Sequence, residues 1–183
     1  MIVSPLRVYI NVSWKGDLEN ERRNVERLIK SNLLMIPVYP KQASSRDVPS
    51  DYFKKINECD ILVAILGSKY SPHVCNEINH ALSSKIPVLC FTKQCKKNKE
   101  LKDEISKLQD NRVVTKSFKT IKELTREVRE AIISLLCEKF KDYLEIEKAL
   151  LKLISDGRIE TIKPKPFQTE YRDVRRINPF EEK

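Results

Sequence analysis

The chain has 183 residues, enough for one complete hydrophobic core with an extension but too few for two large domains. Hydrophobic residues make up 40% and charged residues 33%, a composition typical of globular proteins, which excludes a disordered chain. The 35 Lys and Arg residues outnumber the 26 Asp and Glu residues, and the resulting net charge of +9 permits a nucleic-acid partner without favouring one.

Strand-like and helix-like patterns alternate along the first part of the chain. In chain order they are a strand at Leu6–Val12, a helix at Asp17–Asn32, a strand at Leu33–Val38, a polar loop at Pro40–Pro49, a helix at Asp51–Cys59, a strand at Asp60–Leu66, a helix from Pro72, a strand at Ile86–Thr92, a helix at Lys96–Gln109, a strand at Arg112–Thr115 and a helix at Thr120–Phe140. This alternation predicts an α/β domain with a flavodoxin-like open sheet of five parallel strands, in the order 2-1-3-4-5, flanked by helices. In that order the first and third strands are neighbours, with the ligand crevice between their carboxyl ends.

The pattern changes after Phe140. Tyr143–Ile154 is helical, residues 155–157 carry a turn signal, and residues 158–162 resemble a short strand before a proline-interrupted basic segment. We therefore predict an α/β domain over residues 1–140 and a C-terminal extension over residues 141–183, formed by a helix and an irregular basic tail. Because this helix has apolar residues without a domain of its own, we expect it to pack on the main domain or on a second subunit, giving a homo-oligomer.

Location and metal chemistry are constrained by what the sequence lacks. The chain starts without a basic region followed by a hydrophobic signal segment, and no apolar run approaches the roughly 18 residues of a membrane-spanning helix. A cytoplasmic protein without membrane contact is therefore expected. The five cysteines are an odd number and form no C-x-x-C pair, which predicts reduced thiols and no structural zinc site.

Glu77 is the main candidate for catalysis. It follows the apolar strand Asp60–Leu66 in a predicted helix for which Ser71 is a suitable N-cap and Pro72 a suitable first residue. Helical periodicity places Glu77 at the border of the apolar face, one turn into the helix. A half-sheltered carboxylate beside the carboxyl end of a parallel strand can act as a nucleophile or a base.

Two histidines, His73 and His80, flank Glu77 on the same helix and raise the possibility of a metal site. Their spacing, His-x-x-x-Glu-x-x-His, matches no common zinc helix, so we expect no metal.

Gly67 and Ser68 begin the loop before this helix. No G-x-G-x-x-G and no G-x-x-x-x-G-K-[ST] motif occurs in the chain, which removes the main support for a dehydrogenase or an ATPase. Backbone N–H groups at the strand ends and at the helix start after Ser71 can still bind a phosphate.

The first helix contains a charged pair in its apolar stripe. Glu21 and Arg22 interrupt a row formed by Leu18, Val25 and Leu28. A charge buried there needs a partner, because an isolated buried charge costs several kcal/mol. Two interpretations stay open: one of the two side chains reaches a ligand in the crevice, or they pair with each other and brace the loop after the first strand.

The segment Arg7–Arg22 resembles the opening of an uncharacterised microbial domain family, in which a strand and a Ser/Thr-rich turn precede Asp-Leu-x-x-Glu-Arg, here Asp17–Arg22. The chain also resembles the wider superfamily of TIR domains and nucleoside 2-deoxyribosyltransferases. In that superfamily a buried strand leads to a helix with Glu-Ile-x-x-Ala, matched by Glu77–Ala81, and a Lys-Pro-Val strand follows, matched by Lys85–Phe91. The resemblance extends from residue 6 to about residue 120.

The resemblance implies N-glycosidic chemistry on a nucleoside or nucleotide, NAD included, without a cofactor. Glu77 would attack the anomeric carbon, or stabilise an oxocarbenium-like centre and hold ribose hydroxyls. Asp17 and Ser13 would contact the sugar or the phosphate, and Trp14 or Tyr70 would stack on the base. The remaining predicted ligand-binding residues are Arg22, Gly67, Ser68 and Ser71.

Two other functions are compatible with the sequence. The same crevice or its outer helices could serve a non-catalytic nucleotide sensor or a protein-interaction module. A weaker alternative is nucleic-acid binding through the Lys-rich segment 93–122 and the basic tail, which contains Arg172, Arg175 and Arg176. Turnover of a nucleotide separates the enzyme from both alternatives.

Overall fold

Five parallel strands form one sheet in the order β2-β1-β3-β4-β5. The computed structural model describes residues 5–12, 18–39, 49–111, 113 and 115–155. The strands are β1 (Arg7–Val12), β2 (Ile36–Val38), β3 (Ile61–Leu66), β4 (Val88–Lys93) and β5 (Thr115–Phe118). The predicted flavodoxin-like α/β fold and its strand order are confirmed.

Helices connect the strands and cover both faces of the sheet, as parallel sheets require. They are α1 (Glu19–Arg27), which continues into a π-helical turn at Leu28–Asn32, then α2 (Pro49–Asn57), α3 (Pro72–Ser83), α4 (Lys99–Asp110) and α5 (Ile121–Ser155).

The two faces of the sheet bury different sets of side chains, because alternate residues of a strand point to opposite sides. On one face, β1 contributes Val8 and Ile10, which belong to a cluster with Val25 of α1 and Leu124 and Val128 of α5. The opposite face carries a second cluster, formed by residues of β1, β3 and β4 with α2, α3 and α4: Tyr9, Ile56, Leu62, Ala64, Val74, Ile78, Cys90, Leu101 and Leu108. All six residues of β3 are buried, so this strand forms the centre of the sheet.

All five strands begin later than predicted, β1 and β3 by one residue, β4 by two, and β2 and β5 by three. β5 starts at Thr115 instead of Arg112, because the Val113 N–H donates to the carbonyl of Leu108 at 3.0 Å and so belongs to the end of α4. β2 starts at Ile36 instead of Leu33, because Leu33 and Met35 donate to carbonyls of the preceding helical turn. Apolar residues that close a helix end have the same sequence signature as the start of a strand.

The chain divides into two units, Met1–Lys139 and Phe140–Lys183. The predicted interruption after Phe140 is not observed, since α5 is helical from Ile121 to Ser155. The second unit exposes a group of large apolar side chains on α5: Phe140, Tyr143, Ile146, Leu150 and Leu151. The domain boundary at residue 140 and the homo-oligomer stay predictions, and the predicted turn and strand after residue 155 lie outside the described residues.

No helix in the described part of the chain is both long enough and apolar enough to span a bilayer. The cytoplasmic location stays a prediction.

Candidate functional site

The candidate site lies where the carboxyl ends of β1 and β3 meet. These strands are neighbours, with Val12 in register with Ile65, and α3 starts shortly after β3. Ser71 and Pro72 occupy the predicted N-cap and first helical positions, although the Ser71 hydroxyl makes no capping hydrogen bond. From this start α3 runs back along the sheet, so its first turns lie nearest the carboxyl edge.

Glu77 is buried on the side of α3 that faces the sheet, with 7% of its surface exposed. The hydroxyl of Tyr9, on β1, donates a hydrogen bond to Glu77 Oε2 at 3.1 Å. Tyr9 is fully buried, so one carboxyl oxygen of Glu77 is held by a donor that water does not reach. The sequence places the carboxylate at the border of the apolar face, and the structure places it deeper.

Burial raises the pKa of Glu77 from 4.5 to about 7, against the opposing effect of the hydrogen bond from Tyr9. The pKa of Tyr9 is also raised, first by burial and then by the nearby charge of Glu77. Near neutral pH the Glu77 carboxyl is therefore present in both protonation states. Such a group can act as a nucleophile, a base or an acid.

Asn11 adds a second polar contact between β1 and α3. It lies two residues after Tyr9, so both side chains are on the α3 face of the sheet. Asn11 Nδ2 donates to the carbonyl oxygen of Val74, in the first turn of α3, at 3.0 Å. Asn11 is fully buried, and its Oδ1 atom has no hydrogen-bond partner among the described residues.

The loop between β3 and α3 is held by Asn98, the N-cap of α4. The Asn98 N–H donates to the Ser68 carbonyl at 3.2 Å. Asn98 Oδ1 accepts from the N–H of Tyr70 at 3.1 Å and from the N–H of Leu101 at 3.3 Å. One side chain therefore caps α4 and fixes the loop that carries Gly67 and Ser68.

The charged pair of α1 is separated in the structure. Glu21 is buried and forms an ion pair with Lys93, at the end of β4, at 2.9 Å. Arg22 pairs instead with Glu19 at 2.8 Å and Glu26 at 3.1 Å, on its own helix. Of the two interpretations left open by the sequence, the Glu21–Arg22 pair is therefore not formed, because consecutive residues of a helix do not face each other.

The predicted site residues are brought together only in part. Glu77, Ser71 and the loop with Gly67, Ser68 and Tyr70 share the α3 side of the carboxyl edge. Arg22 lies on α1, which packs on the opposite face of the sheet. Ser13, Trp14 and Asp17 lie outside the described residues.

The surroundings of the two histidines do not resemble a metal site. His80 stacks on Phe53, with ring centroids 4.3 Å apart, and its Nε2 lies 2.9 Å from Asn57 Oδ1. His73 is exposed. Across the described residues, no group of three or more His, Cys, Asp or Glu side chains is placed to hold a metal ion.

Sequence reasoning missed Tyr9, Asn11 and Asn98. The alternation of β1 contains a signal for the first two, because it puts Arg7, Tyr9 and Asn11 on one face of the strand and three apolar residues on the other. Nothing local indicates that Asn98 contacts a loop nearly thirty residues earlier, at Tyr70.

The model of one protein family, described as "Domain of unknown function (DUF4062)", matches residues 7–155. The chain belongs to this family. The match begins at Arg7, where the resemblance noted in the sequence begins. A comparison with curated proteins gives no match.

Among solved structures, the chain is similar to that of the Clostridium botulinum CMP N-glycosidase BcmB, with a TM-score of 0.53 and 16% sequence identity. The similarity covers 68% of this chain and 98% of that chain. At this level of identity the similarity shows a shared fold.

Proposed function

We propose that this protein binds a nucleotide or nucleoside and cleaves its N-glycosidic bond. The observation that carries the proposal is the Glu77 carboxyl, buried between α3 and β1 below the carboxyl edge of the sheet, held by the Tyr9 hydroxyl and with its pKa raised to about 7. Open α/β sheets bind ligands at this edge, beside the point where the strand order reverses. The fold shared with a CMP N-glycosidase and the resemblance to the TIR and deoxyribosyltransferase superfamily support the same chemistry.

In the proposed reaction, ionised Glu77 is the nucleophile. Tyr9 holds Oε2, which leaves Oε1 to form an ester bond with C1′ of the sugar while the bond from C1′ to the base nitrogen breaks. The electron pair of that bond leaves with the base, which takes up a proton. A water molecule then adds to C1′ and gives up a proton, which balances the one taken up by the base, while the ester bond breaks and the Glu77 carboxylate is restored. One water is consumed for each base released.

The remaining contacts to the ligand are part of the proposal. Backbone N–H groups of the loop from Gly67 to Ser71 and of the first turn of α3 would bind the phosphate, since a helix start favours an anion. Tyr70 or Trp14 would stack on the base. Ser13 and Asp17 would contact the sugar or the phosphate, and Arg22 would reach the ligand from the α1 side.

The test is release of free base from a panel of nucleotides and nucleosides that includes CMP and NAD, followed by chromatography. We expect Glu77→Gln to lower base release by roughly a hundredfold or more, because it removes the nucleophile but keeps the shape of the side chain. Glu104→Gln is the matched control. It changes another buried glutamate, located on α4 with Lys107 at 3.4 Å, and should keep the wild-type rate.

Two results would overturn the proposal. One is a wild-type protein that releases no base from any member of the panel. The other is a Glu77→Gln variant that turns over at the wild-type rate. Nucleotide binding without turnover would favour the non-catalytic sensor instead.

A further inference from the structure

Asn11 carries a hydrogen-bond acceptor that no described residue pairs with, close to the proposed nucleophile. A backbone carbonyl only accepts hydrogen bonds, so the Asn11 atom that faces Val74 must be the Nδ2 donor, and the other amide atom must be Oδ1. Oδ1 is buried and has no partner among the described residues. Folded proteins leave few buried acceptors unpaired, because an unpaired one retains its full desolvation cost. We therefore looked for the group that would pair with it.

The position of Asn11 relative to Glu77 follows from two elements. Val74 precedes Glu77 by three residues on α3, about 4.5 Å along the helix axis and nearer the carboxyl edge. Asn11 follows Tyr9, the partner of Glu77, by two residues on β1, again nearer the carboxyl edge. The acceptor is thus about one helical turn closer to the ligand crevice than the carboxylate.

The chemistry of a nucleotide limits what can donate to this acceptor. Phosphate oxygens and the ring oxygen of the sugar do not donate at neutral pH. In a β-nucleoside the base lies on one face of the sugar and the 2′- and 3′-hydroxyls lie on the other. A nucleophile that displaces the base approaches C1′ from the hydroxyl face, where the 2′-hydroxyl is the nearest donor to C1′.

We propose that Asn11 Oδ1 accepts a hydrogen bond from the 2′-hydroxyl of the ligand, so that the protein prefers ribonucleotides to 2′-deoxyribonucleotides. This inference rests on the proposed function, since it places the sugar on Glu77. It makes Asn11 a specificity-determining residue. A site built to pair with a substrate hydroxyl discriminates against the analogue that lacks it, because the buried acceptor then stays unpaired.

The experiment compares kcat/KM for CMP and dCMP, with AMP and dAMP as a second pair, from the release of free base. The wild type should favour the ribonucleotide although the glycosidic bond of a 2′-deoxyribonucleotide is chemically the more labile. In Asn11→Leu, which keeps the size of the side chain without its polar atoms, the ribo-to-deoxy ratio should fall roughly tenfold or more. Because each ratio is compared between variants, intrinsic reactivity cancels.

Thr92→Val is the matched control. It removes a buried hydroxyl from β4, two strands away in the same sheet, and should leave the ribo-to-deoxy ratio unchanged. Thermal melting checks that each variant is folded. If Asn11→Leu does not fold, the wild-type ratio is compared with the ratio of the uncatalysed hydrolysis rates of the two nucleotides, which again cancels intrinsic reactivity.

The outcomes separate this inference from the proposed function. A wild-type ribo-to-deoxy ratio of kcat/KM that is no higher than the ratio of the uncatalysed hydrolysis rates of CMP and dCMP overturns the role of Asn11 and leaves the proposed function standing. An unchanged ratio in folded Asn11→Leu does the same. If the wild type releases no base from either pair or from the wider panel, the proposed function fails and the role of Asn11 fails with it.

Discussion

Replacing Glu77 by glutamine tests the electrostatics of the site without any ligand. Burial raises the pKa of Glu77 from 4.5 to about 7, so between these values the folded protein holds a proton that the unfolded chain has lost. The free energy of unfolding must then fall as pH rises through this range and level off above it. The difference in pKa corresponds to about 3 kcal/mol once the carboxyl is ionised in both states.

The amide introduced by Glu77→Gln stays neutral at every pH, and its oxygen can still accept the hydrogen bond from Tyr9. The variant should therefore match the wild type near pH 5 and exceed its unfolding free energy by up to about 3 kcal/mol near pH 8.5. If the protein becomes more stable when its proposed nucleophile is made neutral, then ionised Glu77 lowers the stability of the wild type. Such a loss of stability is expected of a residue that is kept for function at an active site.

Urea unfolding followed by circular dichroism, at several pH values from about 5 to about 8.5, measures this difference. Glu104→Gln again serves as the control, because it makes the same substitution at another buried glutamate and leaves Glu77 intact. Parallel pH dependences for the wild type and Glu77→Gln would refute the reasoning, since they would show that this carboxyl titrates alike in the folded and unfolded states.

Two further substitutions test the neighbours of this carboxyl. Tyr9→Phe removes the hydrogen bond that lowers the pKa of folded Glu77, so the fall in stability should extend to higher pH in the same urea series; an unchanged upper limit would contradict the contact. Asn98→Ala should lose about 1 kcal/mol of unfolding free energy and speed amide exchange at Tyr70, whereas Asn98→Asp, which retains the acceptor, should lose little of either. Equal losses in the two Asn98 variants would show that the acceptor is not what holds the loop.

The sheet could be predicted because its signals are local and repeated. The apolar run of β3 requires burial on both faces, and helices between strands require parallel crossovers. The errors lie at element ends. Val113 and Leu33 are apolar, but each of them ends a helix through a hydrogen bond from its backbone N–H. The pattern of side chains in a sequence does not show such a backbone hydrogen bond.

Only the α3 half of the candidate site could be predicted from the sequence. Helical periodicity identifies Glu77 as a carboxylate next to the apolar face, because that information lies within one helix. Its hydrogen bond to Tyr9 joins residues 68 apart in sequence, and the Glu21–Lys93 ion pair joins α1 to β4. Such contacts depend on how the elements are placed against each other, which periodicity does not specify.

The buried polar groups on the α3 face of the sheet also indicate that the function belongs at the carboxyl edge. Apolar side chains would fill the space between β1 and α3 at lower cost than Tyr9, Asn11 and Glu77, since each buried polar atom must be paired and Glu77 ionises only against its burial. A core that keeps a carboxyl with a raised pKa, and an amide oxygen without a partner in the described part of the chain, is less stable than it could be. Sequences tolerate such a loss where a ligand or a reaction requires the groups. That both groups lie between β1 and α3, below the edge where open parallel sheets bind their ligands, is the physical reason to look for function there.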